Sequence, residues 1–305
     1  MREMVDGVWP TMITPFTESG KIDYSGLERL IAWYLDHGVD GLFTVCQSSE
    51  MFFLSLEERV EMARFVKEKV EGKIPVIASG HISDDLTRQI DEIERIASTG
   101  IDSFVLVTNR LAKPEEPDAV WIRHAQMLLE RLPNIRFGLY ECPYPYKRLL
   151  NPEVLSWCAS TNRFYFLKDT SCSLTDIRAK MEVVQGSQLK IYNANSATLL
   201  ESLKMGVAGF SGIMGNFHPD LYVWLTKNWR REPQKAEWVQ SFLSTAALIG
   251  LQQYPVNAKY HLQRMGMPIS LVSRCQEYSS LTAVERLEVE NLNLLCSLLR
   301  EQWSL

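Results

Sequence analysis

The sequence predicts an α/β fold, a (β/α)8 TIM barrel followed by a C-terminal helical region. Three observations predict it. Short apolar runs alternate with amphipathic stretches from the start of the chain to about residue 215. About eight such pairs fit that length, which suits a closed parallel barrel better than an open sheet. No G-x-G-x-x-G follows the first apolar run, so an open nucleotide-binding sheet lacks its phosphate turn.

The elements follow in order. "GVWPTMITPF" (7–16) is a β-type run ending near Thr14-Pro15, and "YSGLERLIAWYLDHG" (24–38) has helical apolar spacing with Gly38 as its stop. "DGLFTV" (40–45) is a strand. Ser55, with Glu58 three residues on, opens a capped helix over 55–72. "IPVIAS" (74–79) is a strand, and 84–100 a helix ending in glycine. Strands over 102–108 and 135–140 flank a helix over 117–132. A short helix near 152–160 precedes the strand "FYFLK" (164–168). A strand over 189–194, a helix over 196–206 and a strand over 207–212 complete the series. After residue 218 only helical stretches appear, near 219–229, 233–253, 256–265 and 282–302. The expected division is a catalytic barrel over 1–217 and a helical region over 218–305 packed on it.

Bulk properties narrow the function. The chain has 305 residues, 46% of them hydrophobic, and a formal net charge of −5. No basic excess points to nucleic acid. No segment approaches the roughly 20 apolar residues that span a bilayer, and no signal-peptide core is seen, so a cytoplasmic location is expected. Six cysteines without a C-x-x-C pair suggest neither a disulfide scaffold nor a zinc knuckle.

In βα barrels, chemistry gathers at the carboxyl ends of the strands. Those positions here hold Cys46-Gln47-Ser48-Ser49-Glu50, Tyr140-Glu141-Cys142, Lys168-Asp169, Asn193-Ala194-Asn195 and Ser211-Gly212. A lysine ending an apolar strand loses hydration, its pKa falls, and the free amine becomes a nucleophile toward a ketone. Tyr140 offers a phenol for proton transfer. Ser48 and Gln47 offer neutral donors for a carboxylate. The same residues also allow blander readings: Tyr140 as a core aromatic, Glu50 as a loop-bonding carboxylate.

These segments resemble the dihydrodipicolinate synthase / N-acetylneuraminate lyase family of pyruvate-dependent class I aldolases. "TPF" (14–16), "GLFTVCQSSEMFFLSLEER" (41–59), "PVIASG" (75–80), "YECP" (140–143), "FLKDTS" (166–171) and "GVAGFSGIMGN" (206–216) are similar to its ordered motifs. The resemblance implies the barrel with its helical region, a homotetramer or homodimer, and a 2-oxo acid as the small-molecule substrate. It implies that Lys168 forms an imine with pyruvate or a related acid, with Tyr140 as the adjoining proton carrier and Ser48 at the substrate carboxylate. Neither metal nor cofactor is needed for that chemistry. Gln47, Ser49, Ser211 and Asn193 join the expected substrate-binding set.

The departures bear on the substrate. Gln47 and Ser49 stand where the family has a hydroxyl residue and a glycine. Arg110 and Leu111 replace a tyrosine pair, and Pro145 replaces the synthases' carboxylate-holding arginine. Arg110 is therefore expected either to grip a distal anionic group or to face solvent or another subunit. Three functions stay open: an imine-forming lyase or aldolase, a 2-oxo-acid-binding protein with little turnover, and a sugar-acid dehydratase using the same imine.

Overall fold

The structure, a computed structural model, describes residues 3–303. Its sheet is built from β1 (Gly7–Val8), β2 (Leu42–Thr44), β3 (Val76–Ala78), β4 (Ser103–Val107), β5 (Phe137–Tyr140), β6 (Phe164–Asp169), β7 (Lys190–Asn193) and β8 (Gly209–Phe210). The strands pair in parallel in the order β1-β8-β7-β6-β5-β4-β3-β2. A parallel bridge from Thr11 to Phe43 joins the two ends of the sheet, so the barrel closes. Backbone bonds from Met12 N to Phe43 O and from Phe43 N to Pro10 O hold that seam.

The first strand is much shorter than the apolar run over 7–16 suggests. Pro10 and Pro15 carry no N–H, so a regular ladder cannot run through them. The chain instead alternates single bonds to both neighbours, with Trp9 N bonding Phe210 O before the proline. Beside it the backbones of β1 and β8 nearly touch. A Cβ on Gly209 would lie 1.8 Å from the Gly7 carbonyl oxygen, so only glycine fits.

The strands alternate with α1 (Tyr24–Asp36), α2 (Leu56–Lys69), α3 (Leu86–Ala97), α4 (Asp118–Arg131), α5 (Pro152–Ser160), α6 (Leu174–Val184), α7 (Leu199–Lys204) and α8 (Pro219–Asn228). The capping box at Ser55 is present, with Ser55 Oγ accepting from Glu58 N and the Glu58 carboxylate accepting from Ser55 N. Such a cap stabilises a helix by about 1 kcal/mol. Helix α6 has no counterpart among the helices read from the sequence. Ser173 caps it by accepting from Asp176 N, so the S-x-x-D at 173–176 was its signal.

Helix α8 packs on β1, β8 and α7. It follows β8 as the eighth barrel helix and packs on α9 (Pro233–Ala246) as well. The appendage proper is α9, α10 (Val256–Arg264) and α11 (Ala283–Trp303). Among the described residues no helix is long and apolar enough to cross a membrane.

The barrel interior is filled with rings. Trp9 and Phe43 pack on Phe166, with centroids 5.4 and 6.1 Å away, and Phe166 stacks on Tyr192 at 4.4 Å. Burying each ring stabilises the fold by roughly 1.5–3 kcal/mol. Because side chains alternate along a strand, Phe166 on the inner face puts Lys168 on that face too, one layer higher.

Candidate active site

At the carboxyl end of the barrel Lys168 stands beside Tyr140, its register partner on β5. The Lys168 Nζ lies 4.8 Å from the centre of the Tyr140 ring. Both side chains are buried, and Lys168 is only 3% exposed. Burial lowers the Lys168 pKa from its ordinary value to about 8, against a small opposing pull from Cys46 and Cys142. Burial also raises the Tyr140 pKa well above its ordinary value, helped by the neighbouring Cys142 and Cys46. The pair is thus an amine that loses its proton readily and a phenol that keeps one.

A cavity of about 400 Å³ opens onto Lys168. Its inner wall carries Gln47, Ser48, Tyr140, Thr170 and Tyr254. Gln47 Oε1 accepts from the Tyr140 hydroxyl at 3.4 Å and from Cys142 Sγ at 3.3 Å. Ser48 Oγ donates to Thr11 Oγ1 at 3.1 Å. The Tyr254 hydroxyl, beside Ser48, accepts from Asn216 Nδ2 at 3.0 Å. The outer wall is largely apolar, with Phe52, Phe53, Pro143, Tyr144, Ile213 and Pro255, and Glu50 also lines the cavity.

The loop after β2 that carries Gln47 and Ser48 is held under strain. Val45 has φ 48°, uncommon for a β-branched residue, and Glu50 has φ 61°. Ser49, which stands where the family has glycine, is not itself in the left-handed region. Glu50 anchors the loop to the appendage. Its carboxylate accepts from Lys259 Nζ at 3.1 Å, Ser273 Oγ at 2.9 Å, Arg274 N at 2.6 Å and Cys275 N at 3.0 Å. The structural reading of Glu50 is therefore the one the geometry supports. The same anchor brings Cys275 and Gln276 to the cavity wall.

A second buried network fixes the strand ends. Lys180 on α6 donates to Glu141 Oε1 and Asp169 Oδ2, both at 2.5 Å. Glu141 also accepts from Leu150 N and Thr170 N, and Asp169 from Ser171 N and Oγ. Glu141 and Asp169 directly follow Tyr140 and Lys168, so this network fixes the strand ends that carry both side chains. Sequence reasoning did not find it, because its lysine lies on the helix that was not recognised.

The cavity does not receive every residue expected there. Ser49 Oγ donates to Met12 O and accepts from Cys46 N beneath the loop. Asn193 spends its amide on Thr198, Ser202 and Asn195 N. Ser211 is fully buried, makes no side-chain bond and does not line the cavity. Polarity at a strand end, the ground for naming these three, also serves to fasten the next turn. Arg110 is displaced further. It lines a neighbouring cavity with Leu111 and Pro145, and its guanidinium pairs with the exposed Asp84. Arg110 ends the 3-10 turn Thr108–Arg110 that follows β4.

Comparison with known proteins agrees with this architecture. A curated 4-hydroxy-tetrahydrodipicolinate synthase of Clostridium perfringens (strain SM101 / Type A) is 27% identical over 217 residues, 71% of this chain and 72% of the relative. Its counterpart from Nitrosococcus oceani is 25% identical over 268 residues, 87% of this chain and 89% of the relative. Among solved structures, a dihydrodipicolinate synthase from Bacillus anthracis superposes with a TM-score of 0.86 at 19% identity, covering 95% of this chain and 98% of its own. YagE, a prophage protein of the dihydrodipicolinic acid synthase family from E. coli K12 solved with pyruvate, gives 0.86 at 24% identity, covering 95% and 98%. The model of the dihydrodipicolinate synthetase family matches residues 4–292, and this chain belongs to that family.

Proposed function

We propose that the protein is a class I lyase or aldolase in which Lys168 forms an imine with pyruvate or a related 2-oxo acid. The observation that carries this reading is a buried lysine with a lowered pKa and, among the described residues, no carboxylate partner, facing a cavity beside a buried phenol. Family membership and the pyruvate bound by YagE support it.

The free amine attacks the C2 carbonyl and water leaves, giving an iminium that draws electrons from C3. A C3 proton is lost, and the enamine carbon attacks an aldehyde carbon, forming one C–C bond. The aldehyde oxygen takes up a proton. Water then hydrolyses the iminium, releasing a 4-hydroxy-2-oxo acid and restoring Lys168. The cleavage direction runs the same steps backwards. Tyr140 is the proton carrier, since its high pKa keeps it a donor and Gln47 orients its hydroxyl. Ser48 and Gln47 hold the substrate carboxylate through neutral hydrogen bonds.

The test is imine trapping. Pyruvate with borohydride should leave a reduced adduct on Lys168, read by intact mass and peptide mapping. Lys168→Ala should remain unmodified. An unmodified wild type at saturating pyruvate removes this reading.

A further inference from the structure

We propose that the aldehyde half of the substrate is uncharged and apolar, with an aromatic group the best fit; this rests on the imine reading above. The cavity is large for a three-carbon acid, and its volume of about 400 Å³ lies in the range of small-molecule sites. What fills the remainder is decided by its outer wall. Phe52 and Tyr144 meet edge to face at 4.8 Å, and Phe53 adjoins them on the same wall. Phe53 and Tyr144 leave 46% and 48% of their surface open, an apolar rim that a second substrate would cover.

The charges around the mouth point the same way. Among the described residues, Lys168 is the only cationic side chain lining the cavity. Each cation close by is already engaged. Lys259 is paired with Glu50, Arg274 with Glu58, and Arg110 with Asp84 in its separate cavity. Lys147 donates to the Thr170 carbonyl. Once the iminium at Lys168 faces the carboxylate of the 2-oxo acid, no other cation lining the cavity is left for a second carboxylate. Such a group would be desolvated against Phe52 and Phe53 without a partner, which a buried charge does not tolerate. An aryl or bulky alkyl aldehyde meets no such penalty and gains ring contacts.

The experiment compares two aldehydes of similar size, 4-methylbenzaldehyde and 4-formylbenzoate, each with pyruvate, alongside borohydride trapping. The expected result is a Lys168 adduct together with kcat/KM at least tenfold higher for 4-methylbenzaldehyde. Phe53→Arg should then raise kcat/KM for 4-formylbenzoate at least tenfold, its own Lys168 adduct showing that the variant has folded. Trapping with equal or greater use of 4-formylbenzoate, or with neither aldehyde consumed, overturns the inference and leaves the imine reading standing. No adduct at all removes both.

Discussion

Two lysines of one βα unit meet the same problem in opposite ways. Lys168 on β6 and Lys180 on α6 are both buried, at 3% and 2% exposure. Lys180 sits between Glu141 and Asp169. Burial alone would lower its pKa, but the two carboxylates outweigh burial and the pKa ends above its ordinary value. Lys168 has Tyr140 and three thiols for neighbours but, among the described residues, no carboxylate partner, and its pKa falls to about 8. One amine is locked as a cation and serves the frame. The other is left uncompensated, which costs stability and leaves an amine that gives up its proton readily. Burial is common to both, so what separates these two amines is the pair of carboxylates around Lys180.

The largest expected effect is on the locked amine. Lys180→Met leaves Glu141 and Asp169 buried without a cation and should destabilise the fold by about 3–5 kcal/mol in urea unfolding at pH 7. A loss below about 1 kcal/mol would mean that the two carboxylates share a proton and need no cation.

Next comes the opposite sign at the other lysine. Lys168 has a folded pKa of about 8 against 10.5 when unfolded. Below pH 8 both states hold the proton, and the folded state carries the cost of a desolvated charge. Between pH 8 and 10.5 the folded state gives up its proton first, so that cost fades as pH rises. Lys168→Met should therefore stabilise the protein at pH 7 by roughly 2–3 kcal/mol, and by much less at pH 10. A destabilised variant at pH 7 would show that Lys168 is well solvated or paired.

The same pKa predicts a smaller effect in kinetics. The rate of pyruvate trapping should rise about tenfold from pH 6 to pH 7 and level off above pH 8, as the free amine becomes the main form. A midpoint near 10.5 would place Lys168 in water and break the contrast with Lys180.

How much of this was legible in the sequence follows from what each feature depends on. The barrel was legible because apolar periodicity is local, and Lys168 with Tyr140 because each ends an apolar strand and carries a motif. The Lys180 network was not, since Glu141, Asp169 and Lys180 come from three elements that only the folded barrel brings together. The wall formed by Tyr254, Cys275 and Gln276 was equally hidden. Those residues lie in the appendage, where Cys275 is held by Glu50 and Tyr254 by Asn216, and such anchors leave no periodic trace. Ser49, Asn193 and Ser211 show the reverse error. A polar residue at a strand end can face a ligand or fasten the next turn, and the choice is made by backbone geometry that side-chain type does not reveal.

The smallest expected effect belongs to the remaining cation near the rim. Arg110 is 11% exposed at its side chain, but its partner Asp84 is 98% exposed, so their attraction is largely screened by water. Such pairs contribute about 0–1 kcal/mol. The guanidinium also faces the second cavity, with Leu111 and Pro145, and not Lys168. Arg110→Ala should therefore change stability by no more than about 1 kcal/mol. It should leave the yield of the pyruvate adduct and kcat/KM for 4-methylbenzaldehyde within about twofold. A selective loss of turnover with an anionic aldehyde, at unchanged adduct yield, would return Arg110 to the substrate and contradict the uncharged acceptor. A shift in oligomer mass at unchanged kinetics would assign the second cavity to a subunit contact. Only the first outcome would show that a cation outside the Lys168 cavity takes part in turnover.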